Sequence, residues 1–227
     1  SMHYNRWAWA VSYVVIPLAV LAPLGRPRPW LDGALIGLGM AALVLTKVTY
    51  FAAFAPGIAV ALIARRQATM VVSALVAGLA VAALMTVLAG PAFWSAYLKD
   101  LLTVAAGETR SAPGETFVNV IVAPPYMGAS LALVATVIFL RQAGRAIEGL
   151  SLLVLMPGCF FVAYQNFGND PQWLYLLALL AFVLRPAPGM ANGLGWDLRA
   201  ALTVTGLAAL CFGAPSAINL AFSPWRH

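Results

Sequence analysis

Between Leu31 and Ala64 the chain reads LDGALIGLGMAALVLTKVTYFAAFAPGIAVALIA, 34 residues with one cation, Lys47, near the middle. As one helix this run would extend roughly 51 Å, against a bilayer hydrocarbon core of about 30 Å. A lysine at the centre of that core costs roughly 2.5–3.5 kcal/mol on insertion scales. Two short segments, 31–46 and 48–64, bring Lys47 to an interface and remove most of that cost. Thr46-Lys47-Val48-Thr49 is therefore read as a break between two membrane segments. The first segment carries Gly33-Ala-Leu-Ile-Gly37, a GxxxG spacing that lets helix backbones approach closely.

The composition of the whole chain agrees. Of 227 residues, 63% are hydrophobic and 9% charged, and the mean hydropathy is +0.90. Soluble domains carry about 25% charged residues. So few ionic groups cannot cover a globule of this size, which excludes an ordinary soluble enzyme, a disordered tail and a nucleic-acid reader. The expected class is all-α: a polytopic transmembrane bundle in one domain over 1–227, with membrane lipid as a partner and no nucleic acid. The ends, Ser1-Met2 and Ser223-Pro-Trp-Arg-His227, read as those of a fragment.

Further apolar stretches lie at 8–24, 69–89, 117–140, 149–164, 172–184 and 198–222, making about eight segments with the two above. Charge tests the count. With eight segments, Arg26, Arg28, Arg65, Arg66, Arg141, Arg145, Arg185 and Arg199 share one side with three of the seven acids, net +5. The other five cations and four acids leave +1 on the opposite side. A single segment over 31–64 would put Arg26/Arg28 and Arg65/Arg66 on opposite sides and weaken the bias. The positive-inside rule thus favours the split, with the arginine turns cytoplasmic. A bacterial inner membrane is the expected location.

The remaining polar features fall on the outer side. In loop 90–116, Phe93, Trp94, Tyr97, Leu98, Leu101 and Leu102 repeat at helical spacing, which predicts a helix lying in the interface plane. The Gly107–Glu115 stretch then forms a rim over a lipid-side cavity, or only a connector. The densest polar cluster is Asn166-Phe-Gly-Asn169-Asp170, before Pro171. It is either a helix–turn–helix connection or a lining of polar backbone at membrane depth. In the second case Asn166, Asn169 and Asp170 bind sugar hydroxyls or a phosphate partner. Lys47 is either an interfacial snorkelling side chain or a point charge for a lipid phosphate. Cys159 and Cys211 read as small buried hydrophobes. His3 and His227 are isolated; no metal-ligand set, nucleophile triad or phosphate-binding loop is present. No cofactor is expected, and a divalent metal is neither required nor excluded by the sequence. Span centres lack acids, which argues against a proton-coupled pump.

Gly37-Leu-Gly-Met-Ala-Ala-Leu-Val-Leu-Thr46-Lys47, followed by an apolar span ending in Arg65-Arg66, resembles the GT-C superfamily of integral-membrane glycosyltransferases. Tyr4-Asn5-Arg6-Trp7 before a span is similar to their mid-chain sequence. The resemblance covers mainly residues 4–66. It implies a polyprenyl-phosphate sugar donor held on the extracytoplasmic face, and transfer to a lipid, glycan or protein acceptor. It also implies that the catalytic acid lies in an early acidic loop, which this sequence does not show before residue 47. The chain would then be a later membrane half, and no catalytic base carries over. Only Lys47 is transferred, as a phosphate contact. Such a transfer needs a carboxylate to deprotonate the acceptor and a cation or metal to stabilise the leaving phosphate. Lys47 and Arg110 suit the second role; Glu108, Glu115 and Asp170 are the outer acids for the first. The alternatives are a transporter or permease subunit, with a polar path across the bilayer, and a non-catalytic membrane scaffold. Oligomeric state is not legible.

Overall fold

The computed structural model describes residues 3–106, 116–165 and 172–222. Its helices are α1 (His3–Val20), α2 (Pro29–Ala64), α3 (Ala68–Ala89), α4 (Ala92–Ala106), α5 (Phe117–Val122), α6 (Pro124–Gln142), α7 (Ala146–Gln165), α8 (Trp173–Val183) and α9 (Leu198–Phe222). The chain is all-helical, with one isolated bridge between Ala191 and Asp197 among the described residues.

α2 is not a straight rod. Lys47 has φ −160° and ψ 89°, extended backbone inside an otherwise helical run, and the chain folds back there. Arg65 shows why. Its Nη1 donates to the Val20 carbonyl at 2.6 Å. The nine steps from Val20 to Pro29 reach at most about 30 Å, whereas 36 straight helical residues would carry Ala64 about 54 Å from Pro29. A straight helix cannot close that contact. The two arms of the hairpin, 29–46 and 48–64, lie side by side: Ile36, Met40 and Val44 line one groove with Phe51, Ile58 and Leu62.

Small residues set the closest approaches. A Cβ at Gly33 would sit 2.8 Å from the Met70 Cα, and one at Gly37 equally close to the Ala74 Cα. The GxxxG face of the first arm therefore presses onto the α3 backbone. The second arm crosses α7 at Gly158, where a Cβ would lie 2.8 Å from the Ala53 carbonyl carbon, and at Gly57, where it would overlap Leu155. These pairs run in opposite senses along α2 and α7, so the two are antiparallel. α8 and α9 are antiparallel too, with Tyr175 donating to the Gly213 carbonyl and Phe182 packed on Gly206.

The short α8 is the centre of the bundle: Trp173, Leu174, Leu176, Leu177, Leu180 and Ala181 are buried. At about 16 Å it cannot cross a membrane alone, so the expected 172–184 span becomes a core helix. α3 is the opposite case. Met70 is its one buried residue, and Leu75, Leu79 and Val87 are more than half exposed. A helix apolar on every side and so little covered fits a lipid environment.

Other boundaries also move. The expected span 8–24 starts earlier, at His3, and ends at Val20, leaving Leu24 wholly exposed in the proline-rich stretch that follows. The expected span 117–140 divides at Ala123, whose φ −60° and ψ 136° are extended, because a residue preceding proline is pushed out of the helical region. Cys159 is buried as expected, but Cys211 is exposed on α9. Among the described residues, five helices are long and apolar enough to cross a membrane: Pro29–Ala64, Ala68–Ala89, Pro125–Gln142, Ala146–Gln165 and Leu198–Pro215.

The eight arginines of the expected cytoplasmic turns emerge at one end of the bundle. Arg65 ties the end of α2 to the end of α1. Ser73 of α3 donates to the Trp30 carbonyl at 2.5 Å, and Asn192 donates to Gln142 at 3.3 Å across the ends of α6 and the 185–197 loop. Lys47 lies at the opposite end.

Candidate functional site

The hairpin tip gathers the polar chemistry of that opposite end. A break at Lys47 removes the bond that Val48 N–H would make to the Val44 carbonyl in a continuous helix, and an orphan carbonyl in an apolar setting is costly. α4 supplies the partner: the Tyr97 hydroxyl donates to the Val44 carbonyl at 2.5 Å. Trp94, one turn earlier, donates to Thr86 at 2.7 Å, and Phe93 stacks on Tyr97 with centroids 6.1 Å apart. The helix expected in loop 90–116 is thus present at Ala92–Ala106. No residue of it is buried, and it is held to the hairpin tip by its aromatic face. Burial pushes the Tyr97 phenol above its ordinary pKa.

Replacing Tyr97 by Phe should leave the Val44 carbonyl unpaired at a cost of about 1–3 kcal/mol, and faster amide exchange over 92–106 than in the wild type is the expected reading. A raised folded pKa means that the contact is complete below the ordinary phenol value of about 10 and is lost as pH rises through the folded value. Exchange protection of α4 should therefore be flat from about pH 6 to 9.

On the other face of the tip, Lys47 is half-buried and turned to α1. Its Nζ donates to the Asn5 side-chain carbonyl and lies 5.1 Å from the Tyr4 ring centroid and 5.4 Å from that of Tyr50. Ring quadrupoles attract a cation at these distances. Tyr50 is fully buried and meets Trp9 edge-on at 5.4 Å. Trp9 in turn meets Tyr13 at 6.1 Å, and the Tyr13 hydroxyl donates to the Gln172 carbonyl at 2.6 Å. A line of aromatic contacts thus joins Lys47 to the head of α8. Trp173, next in the chain, buries its indole N–H without a partner among the described residues.

Of the expected site residues, Lys47 is therefore placed, and Asn5, Tyr4 and Tyr50 are its additional surroundings, with Trp9 packed behind Tyr50. Tyr50 was legible only as an aromatic three residues after Lys47, a spacing that says nothing of which face meets α1. Arg110, Asn166, Asn169 and Asp170 lie outside the described residues, as do Glu108 and Glu115. Asp100 is the one described acid at this end of the bundle, and it is exposed. Among the described residues no three His, Cys, Asp or Glu side chains gather as a metal site.

Beside the tip, the two arms of α2 and α3 enclose an open groove of about 440 Å³ whose walls are almost wholly apolar, from Leu62 and Val71 to Ala82 and Trp94.

By helix length and apolarity this is an integral, multi-pass membrane protein. No known protein family, curated protein or solved structure matches the chain.

Proposed function

We propose that the chain is a membrane glycosyltransferase-like protein that holds a polyprenyl-phosphate sugar donor on the extracytoplasmic face. The observation that carries this reading is a half-buried ammonium at a helical hairpin tip, with an apolar groove of about 440 Å³ between the same hairpin and α3. A lysine is a suitable point charge for phosphate, and fixed cations stabilise a departing phosphate in transfer reactions. In this reading both arms of α2 cross the bilayer, α8 completes the about eight membrane segments only as a short helix enclosed by the others, α4 lies in the outer interface, and the membrane is a bacterial inner membrane. The acid that activates the acceptor is not assigned.

A permease would need polar groups along a path through the bundle. The buried hydroxyls favour none: Ser12, Thr136 and Ser151 each donate to the carbonyl four residues earlier, and Thr205 to the one three residues earlier. A second reading has a specific observation behind it. The Asn5, Tyr4 and Tyr50 contacts make Lys47 a clamp between α1 and the hairpin, as in a non-catalytic scaffold.

Binding of a short-chain polyprenyl phosphate to the purified chain in nanodiscs separates the two. Lys47→Ala should weaken binding about tenfold or more, since a hydrogen bond to a charged group contributes about 1.5–3 kcal/mol, and Lys47→Arg should restore part of it. Unchanged binding in Lys47→Ala, with lowered thermal stability, would leave the clamp and overturn the donor site.

A further inference from the structure

The arginine end of the bundle holds a cavity of about 500 Å³ that the reading above does not use. It opens between α1, the proline-rich turn after it and the starts of α2 and α3. Three polar side chains line it, Asp32, Arg65 and Gln67, and the rest of the wall is largely apolar, including Val14, Leu18 and Leu24. This volume lies in the range of small-molecule sites, about 300–1,000 Å³.

Asp32 is the unusual member. Among the described residues three acids lie at this end. Glu148 is 3.7 Å from Arg145, and Asp197 accepts from the Ala200 N–H at 2.8 Å as the cap of α9. The Asp32 carboxylate has no side-chain or backbone partner among the described residues, although it is half-buried. It sits past the third residue of α2, too far along to cap the helix. A half-buried carboxylate in the first turn of a helix is favoured as an anion by the helix N-terminus and is open to a cation of a ligand. Arg65 does not supply a cation to it, because the two side chains share the cavity without forming an ion pair. Arg65 is instead fixed by its Nη1, on the Val20 carbonyl at 2.6 Å and the Ala19 carbonyl at 3.4 Å. Its remaining guanidinium donors have no partner among the described residues.

A fixed cation and a fixed anion, held apart in an apolar-walled cavity at the arginine end of a membrane bundle, complement a ligand with the opposite arrangement. We propose that this cavity takes the headgroup of a zwitterionic phospholipid bearing a primary ammonium, its phosphodiester on Arg65 and Gln67 and its ammonium on Asp32. Wholly exposed Leu24 and half-exposed Val14 at the cavity offer apolar surface to the acyl chains. A primary ammonium brings three N–H donors to the carboxylate; a trimethylated one brings none.

The test uses the full chain in detergent and lipids with identical acyl chains: phosphatidylethanolamine, its mono- and dimethylated forms, phosphatidylcholine and phosphatidylglycerol. Binding is read by thermal shift, since a ligand of the folded state raises its stability by mass action, and by lipid retention in native mass spectrometry. The expected result is tightest binding of phosphatidylethanolamine, falling with each methyl group to about tenfold weaker for phosphatidylcholine. Asp32→Asn, which keeps side-chain shape, should flatten that ranking and weaken binding of every zwitterionic member, because the carboxylate that attracts their cations is gone. The methylation series on the wild type needs no variant, so poor folding of Asp32→Asn would not obscure the answer. Equal binding of the methylated series, a ranking that survives Asp32→Asn, or capture of phosphatidylglycerol alone would each overturn the proposal.

Discussion

Gly158→Ala should destabilise the bundle, whereas the same change at Gly78 should be neutral or stabilising. Both glycines are inside apolar helices, where alanine is intrinsically preferred by about 0.8–1.0 kcal/mol. The difference lies in what the new methyl group meets. At Gly158 it would lie 2.8 Å from the Ala53 carbonyl carbon and 3.1 Å from its Cα, with the carbonyl oxygen closer still. Those atoms are backbone of the hairpin's second arm and cannot rotate aside, so α2 and α7 must separate along their length. Overpacking of this kind costs about 1–3 kcal/mol, occasionally more, and it also loosens neighbouring Leu155 and Cys159 of the core. At Gly78 the nearest atom is the Gly37 carbonyl oxygen at 3.7 Å, an ordinary contact. Thermal unfolding in one detergent should give opposite signs for the two variants, with Tm lowered by about 4–10 °C for Gly158→Ala. Equal shifts would mean that the α2–α7 crossing is not the close contact described.

Lys47→Glu should be the most damaging change at the hairpin tip. It places an anion over the faces of Tyr4 and Tyr50, whose quadrupoles attract cations, and brings a carboxylate to the Asn5 carbonyl oxygen that now accepts from the ammonium. Two cation–π contacts at about 0.5–2 kcal/mol each and one charge-assisted hydrogen bond at about 1.5–3 kcal/mol are lost together. These contributions are not additive, because the groups share one cation. A loss of about 2–4 kcal/mol is expected, read as a lowered Tm and as proteolytic access at 21–28 when α1 loosens. Lys47→Arg keeps the charge and should recover most of it. If Lys47→Glu unfolds at the wild-type temperature, the tip is not clamped through this side chain.

Both effects turn on the fold-back of α2, and that feature was readable in advance. The 34-residue run is too long for a bilayer, and Lys47 is the single position where a break removes an electrostatic cost. The arginine bias made the same choice independently, and the bundle places those arginines at one end. GxxxG at Gly33 and Gly37 likewise became a close backbone contact. Where the reading slipped, proline chemistry or burial intervened: Pro124 ended one helix at Ala123, and α8 traded spanning length for a central place in the core. Cys211 faced outward because an apolar run does not say which of its faces is covered.

Hydropathy and charge along the chain thus determined the class, the hairpin and the gathering of the arginines at one end, since these depend on energies that act residue by residue: transfer into lipid, and the cost of a buried charge. What surrounds Lys47, which carbonyl Tyr97 satisfies, and why Asp32 and Arg65 share a cavity without pairing depend on helices far apart in sequence. Only the tertiary structure decided those, because side-chain contacts at a few ångströms are set by the rotation and crossing of packed helices, and local sequence fixes neither.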